Sequence, residues 1–566
     1  MWPLARRGDG GGATAISPDW VLRVLWFGVV FAALSFRAVE PAWDGGIAAH
    51  PDERFLLGAA QNTPLLGNVC RANPQFPYGQ LAVTLAQILL VAAPGADPLF
   101  AARLVSALVG VILVVLAGAC ARELAGPRAG PLGALLAALA PGLIQQAHFY
   151  TVDPLGAALA SGSVLAAARG RWRIAGALTG LAVACKASLA VGAVPLIVLA
   201  AIAPQGHPRG VKLGGMLGWR AFRFCGPAVV AFVFASPWAV MTPVACWQGP
   251  LVQSMLVSGR YVLPYTQQYL RTTPILYPLQ QMALWGLGPG VVLLGAVALV
   301  MRVGRGFRKG SIPTTRAAYL LPSWLWVVTL LLVIGSLQVK FPRYLLPLYP
   351  WWIGWAVTIV VGDGPARARD LGRRSLGVIL VLTTGLLGLA QVGVYVRPHP
   401  WVAASRWLYA NVDAGATIAV EAWDHPLPVP LPDRDPAVHT QVTLPVYEGA
   451  GGEAPAWLGL ASNADVVAIA SRRAYGTLSR EPETYGAVLA WYADLFARRS
   501  LTLFARCPHV GPLSITDDPL ADAGLPVAVS LAARCGTPLA LRLPHLDESY
   551  RVYDAPLTLL LIRERE

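Results

Sequence analysis

Tyr78-Gly-Gln-Leu-Ala-Val-Thr-Leu-Ala-Gln-Ile-Leu-Leu-Val-Ala-Ala93 is the stretch on which the orientation of the whole chain turns. It follows Asn73-Pro74-Gln75-Phe76-Pro77 and is cut off by Pro94-Gly95-Ala96-Asp97-Pro98. A helix crossing about 30 Å of hydrocarbon needs roughly 20 residues, and this run falls short. The chain around it is that of a polytopic membrane protein: of 566 residues, 55% are hydrophobic and only 13% charged, against about a quarter charged in soluble chains. Spans are predicted near 20–38, 99–120, 129–147, 152–168, 222–241, 283–301, 317–336, 344–361 and 375–396. The apolar run 174–203, with Lys186 and Pro195 inside it, is too long for one untilted span and reads as two short helices turning near Lys186. The fold expected is therefore α-helical and polytopic, with about 11 spans.

If 78–93 does not cross, the basic loops Arg122…Arg128, Arg169-Gly-Arg171-Trp-Arg173, Arg209…Arg220, Arg302…Arg316 and Arg367…Arg374 all share a side with Arg6 and Arg7. If it crosses, the loops near 122 and 170 move outside, against the bias of Lys and Arg toward the cytoplasm. The run is therefore read as an interfacial or re-entrant helix, with the N-terminus cytoplasmic. The formal net charge of +14 is spent in these short clusters between apolar runs, so it speaks for orientation in the bilayer and against nucleic acid. The seven cysteines, at 70, 120, 185, 225, 246, 507 and 535, show no CxxC or Cys/His spacing that would build a zinc site. No small-residue cleavage site separates the first apolar run from the acidic loop after it, so that run reads as a retained span.

This topology places residues 39–98, the turn His148 to Asp153, the Lys186 turn, the loop 242–282, the Lys340 to Arg343 turn and everything after about 397 on the extracytoplasmic side. The division expected is a transmembrane domain over 1–396, with 39–98 as its first outer loop carrying juxtamembrane helices, and a soluble extracytoplasmic α/β domain over 397–566. In the latter, the apolar runs Thr417–Ala422, Val466–Ala470, Leu501–Ala505 and Leu557–Ile562 are bounded by Pro, Gly and Asp, as strands are. Pro and Gly through 424–456 suggest an irregular insertion. In an oxidising compartment Cys507 and Cys535 can pair.

The candidate chemistry begins at His50-Pro51-Asp52-Glu53-Arg54-Phe55. A carboxylate in a hydrophilic loop is usually solvated and inert. Here the acidic pair follows a Pro close to apolar helix ends, where desolvation raises proton affinity, and a base beside a membrane can deprotonate a hydroxyl or amine acceptor. Asp153 in His148-Phe149-Tyr150-Thr151-Val152-Asp153-Pro154 reads as a cap for the helix that follows, a role that leaves it free to face a site shared with Asp52. Lys186 lies in an apolar run, where an ionisable group is costly and points to function, although a snorkelling lysine reads equally well. Lys340-Phe-Pro-Arg343-Tyr344-Leu-Leu-Pro347 puts two cations on the outer face, which the positive-inside bias disfavours and anion binding explains. Arg260, Arg271 and the tyrosines of 242–282 read mostly as interface anchors. Base, phosphate clamp and membrane together suggest a lipid-phosphate donor giving up its group.

These residues resemble the GT-C membrane glycosyltransferases, in the branch of protein O-mannosyltransferases, lipid A aminoarabinose transferases and RgtA/B/C/D-like enzymes. The carriers are Pro51 to Phe55, Ala101-Ala102-Arg103-Leu104-Val105-Ser106-Ala107-Leu108, Ala140-Pro141 through Tyr150–Pro154, Lys186 and Lys340–Pro347, over about residues 20 to 360. The resemblance implies Asp52 as general base, with Glu53, Arg54 and Asp153 lining the site or orienting the acceptor. It implies Lys186, Arg343 and Lys340, beside Tyr344, on the donor phosphate. The donor would be a polyprenyl-phosphate sugar, hexose or pentose, with inversion at the anomeric carbon; the acceptor would be a protein, lipid or glycan. The setting implied is a bacterial plasma membrane. Where relatives often carry Lys-Pro-Pro, this chain has Gln75-Phe76-Pro77-Tyr78, so one familiar cation is missing. No metal ligands are assigned, and assistance by a divalent cation is left open. Glu421, Trp423, Asp424 and His425 read as ordinary strand-end residues within reach of the membrane-side cavity. Two other classes compete: a lipid-linked sugar flippase or transporter, which predicts internal repeats and mid-membrane charges, and an oligosaccharide polymerase or ligase, against which only Pro51-Asp52-Glu53-Arg54 argues.

Overall fold

The computed structural model describes residues 18–202, 213–309, 315–361, 367–448, 455–525 and 529–564. Within these, Trp20–Arg37, Pro98–Ala125, Pro342–Val361 and Leu371–Asn411 are long and apolar enough to cross a membrane, and seven shorter apolar helices accompany them. Large apolar side chains such as Phe27, Phe31, Phe234 and Val300 stand exposed on the helix surfaces, as they do on lipid-facing helices. The chain is an integral membrane protein. Small residues let the helices approach closely: a methyl group on Gly133 would stand 2.5 Å from Ala121, and one on Gly388 would stand 2.0 Å from the Leu139 carbonyl oxygen.

One segment read as a single span is broken for a local reason. The segment 129–147 divides into Ala129–Leu139 and Pro141–Ala147, because Pro141 cannot continue the hydrogen-bond ladder. The carbonyls of Ala137 and Ala138 are taken up by the Arg37 guanidinium at 2.9 and 3.1 Å, at the end of Pro18–Arg37. The 174–203 run does turn at Lys186: Trp172–Cys185 ends there, Ala187–Gly192 forms a 3₁₀ turn, and Ala193–Ile202 resumes the helix. The 242–282 stretch contains the helix Pro243–Val257.

The 39–98 stretch holds the helices Pro51–Gln61, Val69–Ala72 and Gln80–Ala92. The last, at 13 residues, spans about 20 Å, too little to cross unaided. Its N-terminus is pinned to the Lys186 break, where the Gly79 N–H donates to the Cys185 carbonyl at 3.0 Å. A side chain on Gly79 would lie 1.9 Å from the Ala184 carbonyl oxygen, so only glycine allows this approach.

Beyond His399 the chain is α/β. Strands β1 (Thr417–Glu421), β2 (Thr440–Leu444), β3 (Val466–Ile469) and β4 (Ser500–Phe504), with the short β5 (His509–Val510), β6 (Leu513–Thr516), β7 (Leu539–Arg542) and the last strand β8 (Thr558–Ile562), form two sheets. The larger has the order β2-β1-β3-β8-β4 and the smaller β5-β6-β7. All four predicted runs are strands. The stretch 424–456 departs from expectation, because β2 lies inside it and completes the sheet parallel to β1; its alternating Thr440–Leu444 is half exposed at an edge, which weakens the apolar signal. This α/β portion is seated on the helices through buried polar contacts. Asp547 accepts from the Tyr269 and Tyr277 hydroxyls at 3.2 and 2.7 Å. Asp554 accepts from Gln145 at 3.1 Å and from the Tyr395 hydroxyl at 2.9 Å. Arg506 donates to the Trp43 carbonyl at 3.0 Å.

Two disulfides are present, Cys507–Cys535 and Cys70–Cys246. The second ties 39–98 to 242–282 and was not signalled by spacing, since 176 residues separate its halves. Cys120, Cys185 and Cys225 are free. Peptide mapping without reductant is expected to recover both linked pairs and to find those three cysteines as thiols after denaturation; recovery of any other pair contradicts this packing.

Candidate active site

The site is built from the first turn of Pro51–Gln61. Pro51 presets the helical φ at the first position, and the His50 ring caps the turn by accepting the Asp52 N–H at 3.1 Å. Burial pushes the His50 ring down to about 3, so it stays neutral and keeps that acceptor. Successive residues on a helix point about 100° apart, and this separates the two acids. Glu53, fully buried, accepts from Arg103 Nε at 2.9 Å and Nη2 at 2.7 Å, and from the Tyr150 N–H at 2.9 Å. The same guanidinium holds both Asp44 oxygens, at 2.9 and 2.7 Å, and Asp44 accepts the Ala49 N–H at 2.8 Å. Burial opposes the charge on both acids; Arg103 and the Ala49 N–H hold Asp44 below its ordinary range, whereas burial wins at Glu53 and pushes it up. Glu53 thus bolts the helix to Pro98–Ala125.

Asp52 is left facing the other way, its side chain 15% exposed. Arg343 Nη2 lies 3.6 Å from its Oδ2, and the Tyr78 hydroxyl faces the carboxyl closely enough to lower its proton affinity. Arg343 Nε lies 3.5 Å from Asp153 Oδ2, and Asp153 Oδ1 accepts from Lys186 Nζ at 2.6 Å. Lys186 sits over the Tyr344 ring at 4.4 Å and Arg343 over the Phe341 ring at 4.8 Å. The buried Asp52 Oδ2 and Arg343 Nε have no hydrogen-bond partner among the described residues. Burial pushes the Asp52 proton affinity up, but Arg343 and the neighbouring groups more than offset it and hold the carboxyl below its ordinary range.

Asp52, Asp153, Lys186, Arg343 and Tyr344 are therefore brought together from four separate segments. Lys340 is not part of this array: its Nζ donates to Thr272 Oγ1 at 3.2 Å and to the Gln338 carbonyl at 3.0 Å. Arg54 is exposed and donates to the Ala48 carbonyl at 2.9 Å. Of the strand-end residues, Glu421 bonds to the Tyr492 hydroxyl and Asp424 accepts from Ser471 at 2.7 Å, both inside the α/β portion. Sequence reasoning missed Asp44 and Tyr78. Arg103, an ionisable residue inside an apolar helix, was a signal that a carboxylate partner had to exist nearby; Tyr78 carried none.

One group among the described residues brings three metal-type donors together: Asp517, Asp522 and His545, within 4.8 Å of one another. Asp517 is already bound by Arg472 and Arg551, and Asp522 by Arg542. Three guanidiniums on the same carboxylates make a poor cradle for a resident cation.

Residues 83–240 match the family model described as dolichyl-phosphate-mannose-protein mannosyltransferase. The resemblance read from the sequence is thus met in this stretch, which includes Asp153 and Lys186 and leaves Asp52 and Arg343 outside; the class it supports is a membrane glycosyltransferase. No curated protein matches the chain. Among solved structures, the archaeal oligosaccharyltransferase AglB from Archaeoglobus fulgidus, in complex with an inhibitory peptide and a dolichol-phosphate, is similar at 14% identity and TM-score 0.47, over 87% of this chain and 74% of that one. ArnT from Cupriavidus metallidurans bound to undecaprenyl phosphate is similar at 18% identity and TM-score 0.43, over 70% and 73%. The arabinofuranosyltransferase AftD from Mycobacteria is similar at 15% identity and TM-score 0.39, over 98% of this chain and 42% of that one.

Arg103→Met leaves two buried carboxylates without their cation, a loss of the kind that costs about 3–5 kcal/mol. It is expected to lower Tm in thermal unfolding well below that of Arg343→Gln, whose contacts are longer; equal effects would remove the structural role given to Arg103.

Proposed function

We propose that this chain transfers a sugar from a polyprenyl-phosphate donor to an acceptor on the extracytoplasmic face of the membrane, inverting the anomeric carbon. The observation that carries the reading is the Asp52–Arg343–Asp153–Lys186 array, in which two carboxylates hold two cations at a helix break, with one carboxylate oxygen and one guanidinium N–H unspent. The donor phosphate takes Lys186 and Arg343, since guanidinium and ammonium groups clamp phosphate oxygens. Asp52 takes the proton of the acceptor hydroxyl or amine as that atom attacks the anomeric carbon from the side opposite the phosphate. The bond from that carbon to the phosphate oxygen breaks, and polyprenyl phosphate leaves with the electron pair, its added charge met by the same two cations.

The electrostatics supply an order of events. While Arg343 sits against Asp52, the carboxylate is charged but a weak base. When a phosphate draws Arg343 away, the burial that opposes its charge dominates, and Asp52 becomes a stronger base once the donor is bound. Sidedness has separate support: all four disulfide cysteines lie in segments assigned outside, where an oxidising compartment keeps such bonds. On this reading the chain divides into a catalytic membrane domain over 1–396 and an extracytoplasmic domain over 397–566, with the N-terminus cytoplasmic.

Asp52→Asn is expected to cut release of polyprenyl phosphate from polyprenyl-phosphate sugars by about 10²–10⁴-fold, with Tm held; full turnover would remove Asp52 as base, and no release from any donor with the native chain would favour transport. In pH profiles of kcat/KM, the native acid limb falls below the ordinary carboxylate value of about 3.9. Arg343→Gln removes the cation that lowers Asp52 and so moves that limb to higher pH; a limb that stays put would detach Arg343 from Asp52.

A further inference from the structure

A small cavity, open to solvent, lies in the α/β portion, and none of the Asp52 array lines it. It opens where β3 and β4 end and β8 begins, and its wall includes the Cys507–Cys535 bridge. Four arginines line it: Arg472, Arg506, Arg534 and Arg551. All four are more than nine-tenths buried, at 6, 1, 5 and 9% exposed.

Asp517 is the sole acid lining the cavity among the described residues, and it serves both Arg472 and Arg551. Arg534 Nη2 donates to Asp518 at 2.8 Å. Arg506 spends its donors on the carbonyls of Trp43, Arg397 and Asp554 and has no carboxylate contact among the described residues. Asp554 lies close enough to Arg506 and Arg551, and Glu548 to Arg472, for their charges to interact, so what the wall is short of is hydrogen-bond acceptors. Arg534 Nε, Arg534 Nη1 and Arg551 Nε are buried with no hydrogen-bond partner among the described residues. Buried charges are retained when paired, and buried orphan donors call for a missing acceptor.

We propose that this cavity binds a small oxyanion, phosphate or sulfate in size and charge, either as the free ion or as an ester group on a larger molecule. The anion would accept from the unpartnered Arg534 and Arg551 N–H groups. Guanidinium forks match tetrahedral oxyanions.

The test is isothermal titration of the full chain in detergent and chloride buffer with inorganic phosphate, glucose 1-phosphate and glucose, in a Lys186→Gln, Arg343→Gln background so that the Asp52 array does not contribute. Saturable binding of inorganic phosphate or glucose 1-phosphate is expected, with none for glucose. At least tenfold weakening is expected from Arg534→Gln, and likewise from Ala505→Leu, which fills the cavity without touching a charge and decides the matter should Arg534→Gln misfold. Tenfold tighter binding of the sugar phosphate identifies an ester group, and the reverse identifies the free ion. No binding of either anion, or binding that survives both substitutions, overturns the proposal. Because the array is disabled in this background, the result stands apart from the sugar-transfer reading.

Discussion

The rest of the structure depends on Arg103. Its guanidinium joins two carboxylates from the 39–98 stretch, Asp44 and Glu53, to a helix that runs deep among the others, and all three side chains are sealed from solvent. Such charges are expensive to bury, and the expense is met only when geometry and additional bonds are saturated. They are saturated here: the Arg103 contacts run from 2.7 to 2.9 Å, and Glu53 and Asp44 spend their remaining capacity on the Tyr150 and Ala49 backbone. What this fixes is the rotation of Pro51–Gln61. With Glu53 bolted inward, Asp52 has one direction left.

Arg343 presents the opposite condition. It too stands between two carboxylates, but at 3.5 and 3.6 Å, beyond hydrogen-bond length, with its Nε unspent. Unit charges at that range attract by about 5 kcal/mol in an effective dielectric of 20, enough to hold the cation in place without satisfying it. An arriving phosphate, able to meet the guanidinium at bonding distance, competes on favourable terms. The same two ingredients, an arginine and a pair of acids, therefore give a fixed joint when the bonds are closed and an exchangeable one when they are left open.

The fold was legible where its cause was local. Pro51 and the charge pattern placed the acidic helix outside the apolar runs, Lys186 marked its own helix break, and four bounded apolar runs became β1, β3, β4 and β8. The site was legible to the extent that unusual charges stand out: Asp153, Lys186 and Arg343 do meet Asp52. What escaped depended on distant partners. Nothing near Cys70 points to Cys246, β2 is an edge strand whose polar face hides its apolar one, and Tyr78 becomes part of the site only because Gly79 lets the chain press against the Cys185 carbonyl. Lys340 shows the converse, since a cation three residues from Arg343 looks equivalent in the sequence and is turned toward Thr272 in space.

The α/β portion is more than a neighbour of this site. The Tyr553 ring packs on His50 at 4.3 Å, two residues from the proposed base, and its hydroxyl accepts from Arg473 at 3.1 Å. Arg473 in turn pairs with Glu548 at 3.2 Å and donates to the Trp423 carbonyl. Trp423 takes a positive φ of 68°, a conformation that costs a bulky residue energy, and its indole is half exposed above Tyr265. Arg473 thus ties this outward aromatic to Tyr553, the ring that packs on the cap of the proposed base. The first turn that carries Asp52 is thus held from both sides, by Glu53 on Arg103 within the helices and by the Tyr553 ring on its His50 cap from the α/β portion.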